Sequence, residues 1–242
     1  MPRGAHPEDA RLFAPERVPS LRAAVADLSW LLGRGYPERA ARKLVGDRYG
    51  LRRRAREAVA RCAASDEAVA RRRRRRVEGP LSGRPLRIDG FNVLITVEVA
   101  LSGGVLLSGR DGWLRDLASV HGTYRTAQVT AAAAAAVATA VTDLSPGPVE
   151  VLLDAPVSNS GRVAAIFRQA AARAGLAAEV RTVEDPDARL VASSRDAVVA
   201  TADTRILDAP VAVLDLAGRT VRSLALRSGV PRPWILDLGS DA

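Results

Sequence analysis

The chain has little cysteine and few aromatic residues, and each shortage excludes a class of protein. Its single cysteine, Cys62, excludes an internal disulfide framework and is typical of a reducing compartment. Aromatic residues make up only 4% of the sequence, so the core must consist mainly of alanine, valine and leucine. No apolar stretch reaches membrane-spanning length, and the N-terminus lacks an apolar signal core. These features predict a cytoplasmic protein that does not associate with membranes.

Positive charge is concentrated in the first third of the chain. Residues 1–80 hold 20 basic and 10 acidic residues, a net charge of +10, whereas residues 81–242 hold 16 and 17, a net charge of −1; together they give the formal +9. Lys43 is the only lysine, so almost every base is an arginine. This composition reflects either the coding bias of a GC-rich genome or the binding of nucleic-acid phosphates.

The first eighty residues carry the spacing of short amphipathic helices. Ser20 is expected to cap the first helix, Pro37 to open the second and Ser65 to begin the last. The residues predicted to face inward are Leu21, Val25, Leu28, Leu31, Leu32, Ala41, Leu44, Val45, Ala55, Ala58, Val59 and Cys62. Because these faces are narrow, we expect a small all-α region over 1–80, packed against a larger domain over 81–242.

Six consecutive arginines, Arg71 to Arg76, precede a segment rich in Gly, Ser and Pro and mark the predicted boundary. Because adjacent like charges repel one another, we expect this run to stay out of packed interfaces. It is either a solvated helix end or flexible linker or, since guanidinium groups pair with phosphate oxygens, a phosphate-binding stretch. A charge run alone does not decide between the two.

From Leu86 onward, apolar strands alternate with helical segments, which predicts an α/β domain with a mostly parallel sheet. The apolar run Leu86–Ile95 is read as the first strand, and a helix is expected from Trp113 to Val120. Later strands are predicted to end at Asp154, at Val183, near Asp203 and at Leu214, and later helices to cover 126–144, 160–174 and 187–192.

Three of these strands carry an aspartate at or near the carboxyl end: Asp89, Asp154 and Asp203. Burying an unpaired charge is costly, so an acid in an apolar strand indicates a function. Parallel strands bring their carboxyl ends to one sheet edge, where open α/β sheets place active sites. Asp187, at the start of a short helix, either caps that helix or adds a fourth acid. Carboxylates gathered at one edge repel each other unless a divalent cation neutralises them.

Two motifs are similar to those of the NYN branch of PIN-like nucleases. Ile88–Leu94 resembles the first-strand motif of that group, and Val198–Leu207 resembles its late strand, in which Thr or Ser precedes an acid by two positions. The segments 35–37, 44–51 and 121–125 resemble an uncharacterised bacterial and archaeal family that joins a helical N-terminal region to a PIN-like domain. The resemblance implies a three-layer α/β/α fold with a central, mostly parallel sheet.

The resemblance also implies a metal-dependent ribonuclease. The four acids Asp89, Asp154, Asp187 and Asp203 would hold one or two Mg²⁺ or Mn²⁺ ions, which prefer oxygen ligands. The metal would activate a water and stabilise charge on the scissile phosphate. Asn92 has one of two roles: it orients Asp89 or the attacking water, or it stabilises a turn. Thr201 either hydrogen-bonds a neighbouring carboxylate or is simply a β-branched strand residue.

Two further segments are candidates for binding the substrate backbone. One follows Asp154 at a helix start, where phosphates bind readily, although ordinary capping explains it equally well. The other, residues 121–125, either contacts nucleic acid or forms a turn. The candidate substrate-binding residues are Ser158, Asn159, Ser160, Arg162 and Arg125. The predicted partner is therefore nucleic acid, RNA rather than DNA.

The main alternative is a non-catalytic nucleic-acid-binding protein that keeps the PIN-like fold. A haloacid-dehalogenase-like phosphatase needs a second acid two residues after its first, where Phe91 stands. No glycine-rich phosphate loop ends in Lys-Ser or Lys-Thr, which argues against a P-loop nucleotide hydrolase. The remaining acids Asp111, Asp116 and Asp196 are expected to lie on the surface or to cap helices.

Overall fold

A computed structural model of the chain describes residues 4–118, 129–193 and 195–240. Short helices make up the region before residue 80: α1 (Asp9–Leu12), α2 (Val18–Gly33), α3 (Glu38–Arg48), α4 (Arg53–Cys62) and α5 (Asp66–Arg75). Ser65 caps α5 as predicted, because its hydroxyl accepts a hydrogen bond from the Ala68 amide at 3.2 Å. None of the helices in these described ranges is both long and apolar enough to cross a bilayer.

The rest of the chain alternates strands and helices, which confirms the predicted α/β class. Its elements are β1 (Leu86–Asp89), α6 (Gly90–Leu101), β2 (Val105–Ser108), β3 (Leu114–Asp116), α7 (Val129–Thr142), β4 (Val149–Asp154), α8 (Ser160–Arg173), β5 (Ala178–Val183), α9 (Pro186–Val191), β6 (Val198–Ala200), α10 (Thr204–Asp208), β7 (Ala212–Leu214), α11 (Leu216–Ala225) and β8 (Trp234–Asp237).

The main sheet is five-stranded and entirely parallel, with the order β5-β4-β1-β6-β7. From the central β1 the chain builds outward through β4 and β5, then returns to the other side of β1 to place β6 and β7. The order of strands therefore reverses between β1 and β6. In open α/β sheets, ligands bind outside the carboxyl ends of the two strands at such a switch point.

Alternating side chains of the sheet pack into two hydrophobic cores, one on each face of the sheet. Val149, Val151 and Leu153 of β4 join a core with helices α6, α7, α8 and α11, while Leu152 joins a second core on the other face. This period of two is what a strand buried on both sides produces. The buried indole of Trp113 lies in the second core, together with Ile206 of α10.

The helical region shares its core with a small second sheet. That sheet has the order β3-β2-β8, with β2 antiparallel to β3 and parallel to β8. Val105 and Leu107 of β2 and Leu236 of β8 pack into one hydrophobic cluster with buried residues of α2, α3 and α4. The expected packing of the helical region against the larger domain is therefore present.

Two predictions in the helical region are wrong. Helix α2 begins at Val18, ahead of the proposed cap Ser20, because Pro19 is well suited to a first helical turn. Leu44 was expected to face inward but is 57% exposed, since α3 turns Ala41 and Val45 toward its neighbours instead.

Two predictions in the α/β domain are also wrong. The first strand ends at Asp89, and the residues that follow form α6, which is buried on nearly every side and so shows no helical periodicity in sequence. The helix expected from Trp113 is instead the strand β3, paired with β2 across a turn in which Gly112 has a φ of 78°.

The run Arg71–Arg76 is a helix end, as one of the alternatives held, but it is not excluded from packing. It forms the end of α5, and Arg72 is only 4% exposed. The guanidinium of Arg72 contacts the carboxylates of Asp111 and Asp208, so opposite charges from the larger domain offset the repulsion. Asp111 and Asp116, which were expected to lie on the surface or to cap helices, are instead buried, at 2% and 7% exposure.

The structure predicts that Gly90→Ala destabilises the fold. A Cβ at this position would lie 2.8 Å from the Leu152 carbonyl oxygen of β4, which is backbone and cannot move aside. We expect a loss of about 1–3 kcal/mol in the free energy of unfolding, measured by urea denaturation. The matched control is Gly161→Ala in α8, where a Cβ meets nothing within 4 Å and we expect a gain of about 0.5–1 kcal/mol. Equal effects of the two substitutions would contradict the close approach of α6 to β4.

Candidate active site

Four acids lie where the parallel strands end. Asp89 is the last residue of β1 and Asp154 the last of β4, while Asp203 follows β6 and caps α10. Asp187 lies in the first turn of α9, between β5 and β6. Because all five strands run in one direction, these positions share the carboxyl edge of the sheet.

Asp89 and Thr201 join the two strands at the switch point. The Thr201 hydroxyl donates to Asp89 Oδ2 at 2.9 Å, and it accepts a hydrogen bond from the Asp203 amide at 3.0 Å. Both side chains are buried, with Asp89 only 7% exposed. The hydrogen bond to a neighbouring carboxylate that was one option for Thr201 is therefore present, and it fixes the start of the segment that carries Asp203.

Asn92 supports the same segment from the other side. Its backbone amide donates to Asp89 Oδ1 at 3.3 Å, which places Asp89 at the N-cap of α6. Its side-chain oxygen accepts from the Ala202 amide at 2.8 Å. Asn92 thus links α6 to the loop after β6, and it orients Asp89 through its backbone and the loop through its side chain.

The environment of Asp89 disfavours its ionised form. Burial and, to a lesser extent, the negative charges of Asp187 and Asp203 together raise the pKa of this carboxyl to about 7, against the hydrogen bonds from Thr201 and the Asn92 amide, which lower it. A carboxyl that titrates near neutrality beside other acids is typical of a functional site, although structural networks shift pKa values too.

Asp187 and Asp154 are perturbed in the same direction. Burial raises the pKa of Asp187, and Asp203 and Asp154 add to the rise, while Arg205 opposes it from 3.4 Å. Burial also raises the pKa of Asp154, with a contribution from Asp185. The cap of α9 is Asp185, whose carboxylate accepts from the Ala188 amide at 2.9 Å, so Asp187 is not the capping residue.

The four acids offer the oxygen ligands that a hard divalent cation prefers, but their side chains are not grouped closely enough to hold one together. Carboxylate oxygens are ligands that Mg²⁺ and Mn²⁺ prefer, and mutual repulsion at the edge favours a cation there. Among the described residues, however, no three Asp, Glu, His or Cys side chains are grouped closely enough to hold a metal ion. Arg205 contacts Oδ2 of Asp187 at 3.4 Å, so a metal ion would compete with this arginine for the carboxylate.

The proposed substrate-binding residues divide into two groups. Ser158, Asn159 and Ser160 lead from β4 into α8, at the same edge as Asp154, and Asn159 has a left-handed φ of 64°. Arg162 lies exposed in the first turn of α8. Arg125 and the rest of the segment 121–125 lie outside the described residues. Their contact with a substrate stays a prediction.

Sequence reasoning missed two residues at this edge. Arg205 is the basic partner of Asp187, and its side chain is 80% exposed. Asp215 directly follows β7 and caps α11 by accepting from the Gly218 amide at 2.9 Å. The signal for Asp215 was available, because Val213-Leu214-Asp215 repeats the pattern of an apolar strand ending in an acid.

A groove elsewhere offers no comparable chemistry. It has a volume of about 580 Å³ and lies between the end of α2 and the start of α5. Arg34, which stacks on Trp30 at 4.9 Å, and Arg110 line it together with the acids Asp66 and Glu67. These opposite charges offset one another, so the groove indicates no class of ligand.

The raised pKa of Asp89 predicts that the protein loses stability as the pH rises. Between about pH 4 and pH 7 the folded chain keeps a proton on Asp89 that the unfolded chain releases, so the free energy of unfolding falls by up to about 4 kcal/mol across that window. Asp89→Asn, which cannot ionise, should flatten most of this slope in urea denaturation from pH 4.5 to 8. The exposed Asp143→Asn serves as the control and should keep the slope. A wild-type slope of the opposite sign would contradict the buried, repelled carboxyl.

Comparison with known proteins places this fold in a family. A model described as a domain of unknown function, DUF5616, matches residues 79–219, and one described as a protein of unknown function, DUF434, matches residues 20–75. An uncharacterized protein of Methanocaldococcus jannaschii, MJ0935, is 29% identical over 190 residues, which cover 78% of this chain and 89% of that protein. No solved structure gives a significant match. The chain belongs to the DUF5616 family, whose model spans more than half of its length.

Proposed function

We propose that the chain is a metal-dependent nuclease that hydrolyses phosphodiester bonds of RNA at the carboxyl edge of its parallel sheet. The observation that carries this proposal is the buried Asp89 at the switch point, with a pKa raised toward neutrality and acted on by the charges of Asp187 and Asp203. A fold stabilised by packing alone gains nothing from such an arrangement. The resemblance of the Asp89 and Asp203 motifs to PIN-like nucleases supports the same reaction.

The acids would hold Mg²⁺ or Mn²⁺, and a bound ion supplies an activated water and stabilises charge on the scissile phosphate. The chain contributes orientation. Thr201 holds the carboxylate of Asp89, and Asn92 holds the loop that carries Asp203. Arg205 is exposed beside Asp187, so it can exchange that carboxylate for a substrate phosphate oxygen. The net charge of +10 on residues 1–80 favours a polyanionic substrate.

A non-catalytic nucleic-acid-binding protein is the second candidate. The observation in its favour is that, in the part of the chain that the structure describes, no three potential ligands are grouped to hold an ion. Under this reading the ion pair between Arg205 and Asp187 persists, and the acids never come together. The two candidates differ in one measurable property, which is cleavage that depends on a divalent metal.

The nuclease proposal predicts that Asp89→Asn and Asp203→Asn abolish cleavage but not binding. We expect Mn²⁺-dependent cleavage of single-stranded RNA to fall by at least about 100-fold, because the lost carboxylates would hold the ion and align the water. RNA affinity, measured by fluorescence anisotropy in EDTA, should change by less than about threefold. Single-stranded DNA of the same sequence tests the preference for RNA.

The control is Asp143→Asn, an exposed acid between α7 and β4 that should cleave as the wild type does. A wild-type protein that binds RNA but cleaves neither RNA nor DNA with Mg²⁺ or Mn²⁺ would overturn the nuclease proposal and favour the binding protein.

Metal binding can be tested without activity. We expect Mn²⁺ to raise the unfolding temperature of the wild type, since a ligand that binds only the folded state stabilises it. Asp89→Asn and Asp187→Asn should weaken this effect. Arg205→Met should strengthen Mn²⁺ binding by about two- to fivefold, because it frees Asp187 from an exposed ion pair. Mn²⁺ affinities that are the same in the wild type and all three variants would show that these acids hold no metal.

A further inference from the structure

Four of the six consecutive arginines at the end of α5 face the α/β domain. Arg71, Arg72, Arg75 and Arg76 lie on one side of the helix end, whereas Arg73 and Arg74 are exposed. Their contacts lead, directly or through one or two further side chains, to residues 201–209. That segment carries Thr201, Asp203 and Arg205 of the candidate active site.

The first set of contacts holds the far end of the segment. Arg72 binds both oxygens of the Asp208 carboxylate, at 3.0 and 2.6 Å, and Arg71 contacts the same group at 3.1 Å. Arg75 donates to the carbonyl oxygens of Asp208 and Ala209 at 3.0 and 2.6 Å. These two carbonyl groups lie at the C-terminal end of α10, where the helix itself provides no hydrogen-bond donors for them. A positively charged donor is also favoured there, because the helix dipole is negative at this end.

The second set holds the near end of the segment. Arg72 donates to Asp111 Oδ2 at 2.8 Å, and Asp111 in turn binds Arg115 through both of its oxygens, at 2.8 and 2.6 Å. The Nε atom of Arg115 then donates to the Ala202 carbonyl at 3.3 Å. The chain of contacts Arg72–Asp111–Arg115–Ala202 therefore runs from α5 to the loop that supplies Asp203.

Trp113 provides a parallel contact to the same loop. Its indole N–H donates to the Thr201 carbonyl at 3.0 Å, while the guanidinium of Arg76 covers the ring at 4.7 Å. The loop is thus held by the backbone oxygens of Thr201 and Ala202 from one side. From the other side, Asn92 holds the amide of Ala202.

Burial makes these contacts hard to replace with water. Arg72, Asp111 and Arg115 are 4%, 2% and 6% exposed. With the half-buried Asp208, they form a cluster of two positive and two negative charges. Burying such a cluster is poor evidence of a gain in stability, and its best-attested use is to fix one conformation against alternatives.

We propose that Arg72, acting through Asp111 and Arg115, is a positioning residue that fixes the conformation of residues 201–209 and so aligns Thr201 and Asp203 with Asp89. The geometric part of this proposal stands without any activity, and only its catalytic consequence rests on the proposed nuclease function. In an active enzyme the loss of Arg72 lowers kcat while KM stays nearly unchanged, because no substrate contact is removed.

Amide hydrogen exchange of the full chain tests the positioning role. The reporters are the amides of Ala202 and Asp203, which donate to Asn92 Oδ1 and to Thr201 Oγ1. Arg72→Lys keeps the charge but cannot bridge Asp111 and Asp208 together. We expect it to speed exchange at both reporters by at least tenfold and to leave the amides of Val151 and Leu153 in β4 unchanged.

Matched controls separate positioning from general destabilisation. Arg73→Lys and Arg74→Lys make the same chemical change at exposed sites of the same helix and should leave all of these amides unchanged. A uniform acceleration in Arg72→Lys that includes β4 would overturn the proposal, and so would unchanged reporters.

A second variant covers the case in which Arg72→Lys does not fold. Arg115→Lys keeps the charge but removes the Nε donor to the Ala202 carbonyl, the last contact of the proposed path, so it should speed exchange at Ala202 and Asp203 selectively. Unchanged reporters in that variant would overturn the proposal. A wild type that is inactive on RNA, with reporters that respond as expected, would refute the nuclease function and support the positioning role.

Discussion

A carboxylate held out of water at the end of the central strand is the constraint on which the rest of this site depends. Asp89 is buried, so its oxygens must find donors, and they find them in the Thr201 hydroxyl and the Asn92 amide. Each donor fixes a further piece of chain, because Thr201 also binds the Asp203 amide and Asn92 also binds the Ala202 amide. One buried acid therefore determines how β1, α6 and the loop after β6 fit together.

The pKa values of two buried aspartates in this domain are shifted in opposite directions, because the charges next to them differ in sign. Burial alone raises the pKa of both. Around Asp89 the nearby charges are negative, and its pKa rises to about 7. Around Asp111 they are the guanidinium groups of Arg115 and Arg72, which outweigh burial and lower its pKa to about 2. The domain thus places the carboxyl of Asp89 near other acids at the sheet edge and that of Asp111 between guanidinium groups in the supporting cluster, a division that suits a site built on a fixed scaffold.

Sequence patterns predicted the elements whose burial alternates and failed where burial is uniform or depends on a partner. α8 begins at Ser160 as expected because its buried residues Val163, Phe167 and Ala170 alternate with exposed positions at helical spacing, whereas α6 is buried all round and was read as a strand. Because all six residues of the arginine run are alike, the run itself does not show which of them faces inward. The apolar residues Ala68 and Val69 do show it, since Arg72 follows them at helical spacing and lies on the same buried face. Nothing in the sequence near Arg72 shows that Asp111 and Asp208 lie opposite it, because those contacts cross 39 and 136 positions.

The same cluster explains why the helical region and the α/β domain occur in one chain. The two family matches meet between residues 75 and 79, yet Arg72 lies in the first matched region and its partners Asp111 and Asp208 lie in the second. Without the helical region, Asp208 would lose both of its guanidinium partners and Asp111 would keep only Arg115, while Val105 and Leu107 would lose the helices that cover them. Removing one partner of a buried ion pair is strongly destabilising. The α/β domain therefore depends on the helical region both for its charge balance and for part of its core, so the two matched regions form one structural unit.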